Sequence, residues 1–331
     1  MKSLFLTLLF LSTLMSITAN SWLGAWMGLE INMMSFIPLI SSQKTLNHNL
    51  SSIKYFIIQT IASITLIASF LIYMMYMFNP SINITMMMTL SILMKIGAAP
   101  LHFWFPEVME HLSWNNCMLI MTWQKMAPFS LLSYIQTNQM IMTMFIFSSA
   151  LIGSIMGLNQ ISLRLMMSYS SISHIGWLLA SLQSSLMMWM CYITMYSLMT
   201  VLICLLLKIN NLNTINELFM TNNGNKINKL NTMTSILSLA GMPPFLGFLP
   251  KWLLLHELMK NSSFLTSSIL IISSMITLYF YMKLFLSASL MSIKENKWNT
   301  WNFKPTKLTM ITLYLNTISM MGLITSSLFF K

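Results

Sequence analysis

The chain has 331 residues, 56% of them hydrophobic and only 7% charged, with a mean hydropathy of +0.72. That leaves too little polar surface to wrap a water-soluble core, so a soluble domain is excluded and a polytopic membrane protein is expected. The net charge of +11 would suit nucleic acid, but its distribution along the chain points to membrane topology instead.

Polar clusters divide the chain into eleven candidate spans, at roughly 3–20, 22–41, 53–78, 84–110, 115–135, 138–158, 161–182, 185–208, 230–257, 264–288 and 307–330. Lys2 followed by SLFLTLLFLSTLMSITA has the look of a cleaved signal peptide. Ten further spans need no such signal, so it reads as the first span. The second span carries Glu30 within GLEINMMSFIPL.

The fourth and ninth spans share the pattern Gly-x-x-Pro-x5-Pro: Gly97, Pro100 and Pro106 in one, Gly241, Pro244 and Pro250 in the other. Proline lacks a backbone donor and clashes with the preceding turn, so each of these stretches is expected to break in mid-membrane, near 97–106 and near 241–250. In a bilayer, freed backbone groups survive only where they line protein or water, and paired broken spans point to a transport site. The two spans lie five apart. An odd separation predicts inverted repeats at 1–135 and 138–288, with a loop and final span at 289–331.

If odd-numbered spans run from side A to side B, side A holds Lys2, Lys44, Lys54, Arg164, Lys208, Lys226, Lys229, Lys283, Lys294, Lys297, Lys304 and Lys307, and side B only Lys260 and Lys331. The positive-inside rule then puts the N-terminus and the longer loops, 209–229 and 289–306, on the matrix or cytoplasmic side, and the C-terminus opposite. Lysines interleaved with Trp298 and Trp301 in the second loop read as a headgroup-level surface rather than a nucleic-acid site. Phospholipids such as cardiolipin are therefore expected partners, and nucleic acid is not.

Four charges fall well inside spans: Glu30, Lys95, Lys125 and Lys251. An ion at that depth costs several kcal/mol unless paired or hydrated, so it marks function. Desolvation favours the neutral amine and a nearby carboxylate favours the ammonium, so such a lysine can load and release a proton; arginine cannot. Pairing of Glu30 with Lys95, and snorkelling of Lys251, are the plainer alternatives. His174 lies among Ser168, Ser170, Ser171 and Ser173, a set able to order water for proton hopping or simply to hold a structural histidine. His102 could continue a polar path, while Glu107, Glu110 and Glu257 sit at span ends.

No P-loop, dinucleotide fingerprint or metal-ligand cluster is present, and Cys117, Cys191 and Cys204 lack metal spacing, so no cofactor is expected in this chain. Methionine occurs 37 times and Asp not at all. That bias suits an AT-rich genome that reads an isoleucine-type codon as Met, as many mitochondria do.

The segments MKIGAAPLHFWFPEV (94–108), LIMTWQKMAPFSLL (119–132), LRLMMSYSSISHIGW (163–177) and LAGMPPFLGFLPKW (239–252) resemble the NADH dehydrogenase subunit 2 family of mitochondrial respiratory complex I. The resemblance covers nearly the whole chain. It implies an antiporter-like, proton-translocating membrane-arm subunit of the inner membrane, with NADH, FMN, iron–sulfur clusters and ubiquinone handled by partner subunits. It also implies that Glu30 is the family's glutamate partnering a broken-helix lysine, Lys95 that lysine, Lys125 the central lysine and Lys251 the lysine of the second broken helix. Leu165 departs from relatives that carry a lysine after Arg164, which puts in doubt an essential second basic residue there. A free-standing cation/proton antiporter and a charge-paired scaffold are the rival readings.

Overall fold

The computed structural model describes residues 2–41, 46–75, 82–135, 137–220, 226–291 and 307–320. Lys44, Lys331 and residues 292–306 of the expected basic loop, including Trp298 and Trp301, lie outside the described residues. Two compact units emerge, Met1–Ser149 and Ala150–Lys331. Among the described residues there are fifteen helices and one isolated antiparallel bridge, Ser162 to Thr214.

The first unit contains α1 (Lys2–Thr18), α2 (Trp22–Ser41), α3 (Leu46–Met75), α4 (Ile82–Ile96), α5 (Trp104–Glu110), α6 (Trp114–Met121) and α7 (Trp123–Tyr134), and the division falls within α8 (Gln139–Gly157). The second contains α9 (Leu163–Ser184), α10 (Leu186–Ile209), α11 (Ile215–Met220), α12 (Lys226–Ala240), α13 (Phe248–Lys260), α14 (Phe264–Met291) and α15 (Lys307–Met320). Among the described residues, α2, α3, α8, α10 and α14 are long and apolar enough to cross a membrane.

Polarity runs inward. Ile64, Met144, Leu265 and Met275 are exposed, whereas Asn32, Gln59, Lys95, Lys125 and Lys251 are buried. Where the surroundings are as apolar as leucine, helices associate through small residues and close packing. Ser12, Thr13 and Ser16 of α1 are buried, and a Cβ on Gly28 of α2 would lie 2.8 Å from Ser16 Cβ. Their hydroxyls donate to Leu9, Phe10 and Thr13 carbonyls of their own helix, which satisfies the donors without widening the contact.

The breaks occur in both expected stretches, but glycine rather than proline ends each first segment. After α4, Gly97 adopts φ +78°, its N–H donates to the Met94 and Leu93 carbonyls, and Ala98 N–H reaches back to Leu93. That is a Schellman closure, which needs a left-handed residue best supplied by glycine. Gly241, at φ +84°, closes α12 with a bond to the Ser238 carbonyl. Pro106 and Pro250 instead occupy the first turns of α5 and α13, where a missing N–H leaves nothing unsatisfied.

Two further expectations need correction. The fifth span is interrupted at Thr122 (φ −109°, ψ −72°), one and a half turns before Pro128. Lys229, expected in a loop, lies in the first turn of α12 and is buried.

Candidate functional site

In the first unit, Lys95 and Lys125 line one cavity of ≈ 30 Å³ together with Tyr55, Gln59, Asn32, Gln124, Trp104 and Phe105. That space suits about two water molecules, since each needs roughly 10–15 Å³ and two to four polar partners. Lys95 arrives at the last turn of α4, where its cation also faces the negative end of the helix. Lys125 arrives in the first turn of α7, with its side-chain nitrogen 5.4 Å from the Phe105 ring centroid.

The carbonyls freed at the first break are met by neutral donors. Trp104 Nε1 donates to Met94 O (3.2 Å), Gln59 Nε2 to Lys95 O (3.4 Å) and Ser148 Oγ to Ala99 O (2.6 Å). His102 is buried, with Nδ1 3.3 Å from Pro100 O. The Lys95 side chain is thereby left facing the cavity. An orphaned carbonyl here would cost about 1–3 kcal/mol.

Glu30 is half-buried on α2 and outside the cavity lining. Among the described residues, Glu30 and Lys95 form no direct ion pair. Among the described residues the ion pairs are Lys54 to Glu107 (2.6 Å) and Lys260 to Glu257 (3.6 Å), each between exposed or partly exposed side chains at span ends.

In the second unit the break is satisfied by its own lysine: Lys251 Nζ donates to Ala240 O at 2.9 Å and sits 5.8 Å from the Trp177 ring centroid. Trp177 is one turn from His174 on α9. His174 Nδ1 lies 2.9 Å from Tyr192 Oη of α10, beside a ≈ 20 Å³ cavity lined also by Tyr196, Gly247 and Pro250. Ser168, Ser170, Ser171 and Ser173 each donate to a carbonyl three residues back. They do allow close packing, since a Cβ on Gly153 of α8 would lie 2.4 Å from Ser173 N.

The structure thus brings Lys95 and Lys125 to one cavity, leaves Glu30 outside its lining, and places Lys251 against Trp177, one helical turn from His174. Tyr55, Gln59, Tyr192, Ser148 and the Asn32–Gln124 pair were not singled out from sequence. Amides inside apolar stretches are a legible signal for Gln59, Asn32 and Gln124. Nothing local distinguishes Tyr192 from other span tyrosines.

Residues 19–277 match the family described as NADH:quinone oxidoreductase/Mrp antiporter, TM. The chain is 44% identical over 333 residues to NADH-ubiquinone oxidoreductase chain 2 of Locusta migratoria, covering 99% of this chain and 97% of that one. It is 42% identical over 335 residues to the protein of the same name from Anopheles gambiae, covering 99% and 98%. Its fold is similar to that of a chain in the structure titled "Respiratory complex I from Thermus thermophilus with bound Aureothin", with a TM-score of 0.81 and 18% identity over 98% of this chain and 78% of that chain.

Proposed function

Because this chain belongs to the NADH-ubiquinone oxidoreductase chain 2 family, we propose that it is an antiporter-like, proton-translocating subunit of the membrane arm of that enzyme complex. The observation that carries the reading is the pair of buried lysines, Lys95 and Lys125, facing one water-sized cavity. An ion costs several kcal/mol to bury, and an apolar residue would fill either position at no such cost. What those positions supply is a site where a proton can be held and passed.

Within the first unit, water in the cavity connects Lys95 to Lys125, and Glu30 is a carboxylate of the same unit. Two ammonium groups facing one cavity repel, so loading one favours unloading the other. Within the second unit, His174 with Tyr192, and Lys251, provide the next groups able to carry a proton. The electron chemistry, with NADH, FMN, iron–sulfur clusters and ubiquinone, belongs to partner subunits.

The helices support eleven spans, counting α4 with α5, α6 with α7, and α12 with α13 as single crossings and leaving α11 outside. In this reading the protein is multi-pass in the mitochondrial inner membrane, with its N-terminus in the matrix and its C-terminus in the intermembrane space.

Replacing Lys125 by Met in the assembled complex tests the proposal. Proton translocation per NADH should collapse while the complex still assembles. Full pumping would support a scaffold, and NADH-independent, Na⁺- or K⁺-dependent proton exchange by the isolated chain in liposomes would support a free-standing antiporter.

A further inference from the structure

Asn32 and Gln124 make a closed pair. Asn32 Nδ2 donates to Gln124 Oε1 and Gln124 Nε2 donates to Asn32 Oδ1, both at 3.0 Å. Both residues line the cavity that Lys95 and Lys125 face. Gln124 immediately precedes Lys125 in the first turn of α7, directly after the interruption at Thr122. Asn32 stands two residues after Glu30 on α2.

A helix start is held weakly by its own ladder, because its first N–H groups have no intrahelical partner. Here the first turn of α7 is gripped from outside, one residue at a time. Trp123 Nε1 donates to Thr13 Oγ1 of α1 (3.1 Å), and its ring meets Phe10 edge-on at 4.4 Å. Gln124 is held by Asn32 of α2. Just upstream, Asn116 Nδ2 donates to Leu39 O of α2 (3.0 Å), tying α6 to the same helix.

Resting on the reading that Lys125 moves protons, we propose that Asn32 and Gln124 are positioning residues that hold Lys125 on the cavity and tie it mechanically to the helix bearing Glu30. A neutral amide pair suits the task. It satisfies one donor and one acceptor on each partner without adding a charge beside the lysines, and it breaks cleanly when either amide is lost. A displacement of α2 that changes the field of Glu30 at Lys95 is then transmitted to Lys125 through two hydrogen bonds.

The test uses the assembled complex carrying Gln124→Met, Asn32→Leu, both together, or the exchanged pair Asn32→Gln with Gln124→Asn. Protons translocated per NADH are measured in reconstituted vesicles, normalised to assembled complex. Each single variant should lose pumping by up to about a hundredfold, the order of magnitude that a misplacement of about 1 Å costs a reacting group. The double variant should lose no more than either single one, because both remove the same pair. The exchanged pair should restore most of the pumping.

Normal pumping by either single variant in assembled complex overturns the proposal, as does an exchanged pair that assembles without recovery. If neither single variant assembles, assembly and pumping by the exchanged pair support the proposal. Failure of the exchanged pair as well assigns the amides to folding and overturns it. Collapse in Lys125→Met with full pumping in Gln124→Met removes only this proposal; full pumping in both removes the functional reading itself.

Discussion

The side-chain nitrogen of Lys251 donates a 2.9 Å hydrogen bond to the carbonyl of Ala240, eleven residues earlier, and so bridges the break between α12 and α13. The first break is closed differently. There Gln59, Trp104 and Ser148 supply the donors, and Lys95 is left to face a cavity. Two stretches with the same glycine and proline spacing thus place their lysines in different chemical settings: Lys251 doubles as a cap, and Lys95 does not.

Gly241→Ala tests the capping role of Lys251. The added Cβ would lie 3.0 Å from Lys251 Nζ and 3.1 Å from its Cδ, and the residue would have to hold φ +84°. The left-handed conformation costs an alanine about 1–2 kcal/mol. The lysine side chain can swing aside, so its bond to Ala240 is the contact that yields. The variant should show a lower thermal midpoint of the assembled complex and reduced pumping per NADH, and unchanged pumping would show that the Lys251–Ala240 contact is dispensable.

Tyr192→Phe removes the hydroxyl 2.9 Å from His174 Nδ1 and keeps the ring. If the pair acts as one unit, Tyr192→Phe and His174→Gln should each slow coupled turnover, and the double variant should be no slower than the worse single one. Simple addition of the two losses, seen in vesicle pumping assays, would separate the roles of the two residues.

Ser148→Ala deprives the Ala99 carbonyl of its 2.6 Å donor. About 1–3 kcal/mol of stability should be lost, seen as a lower thermal midpoint of the complex. Ser149→Ala is the control. Among the described residues its hydroxyl bonds within α8, to Phe145 and Ile146 carbonyls, and a smaller loss is expected in thermal-shift measurements on the complex.

The loop before α11 provides a pH test away from the spans. Glu217 accepts hydrogen bonds from Asn213 N–H (2.6 Å) and Thr214 N–H (3.3 Å), and the Asn213 bond first of all holds its carboxyl below the ordinary 4.5. A depressed carboxyl contributes stability that is fully present above its unfolded value and is lost as pH falls through the folded one. Protection of the Asn213 and Thr214 amides, taken relative to the unstructured exchange rate at each pH, should therefore hold from neutral pH down to about pH 4.5 and fall only below it. Glu217→Gln should raise exchange at neutral pH, and equal protection in the variant would show that the carboxylate does not hold the turn.

Gln59 and Tyr192 show how far sequence reading reaches into the site. Gln59 is an amide in an apolar stretch, and its chemical cost alone marks it for attention. Its partner, the Lys95 carbonyl, is a backbone atom 36 residues away that becomes free only once Gly97 ends the helix. Tyr192 reaches His174 only because α9 and α10 fold against each other.

Composition by itself determined that the chain is a bundle of apolar helices with two interrupted stretches, because hydrophobicity and missing donors act locally. The charges within apolar stretches, half-buried Glu30 and buried Lys95, Lys125 and Lys251, were legible for the same reason: an ion in an apolar segment is costly wherever that segment packs. Only the tertiary structure decided that Gly97 and Gly241 take the left-handed conformation that closes α4 and α12, that Lys251 caps Ala240 while Lys95 faces the cavity, and that Glu30 and Lys95 form no direct ion pair. Those outcomes depend on which donor lies within about 3 Å of each freed carbonyl, and that is set by helices meeting from distant parts of the chain.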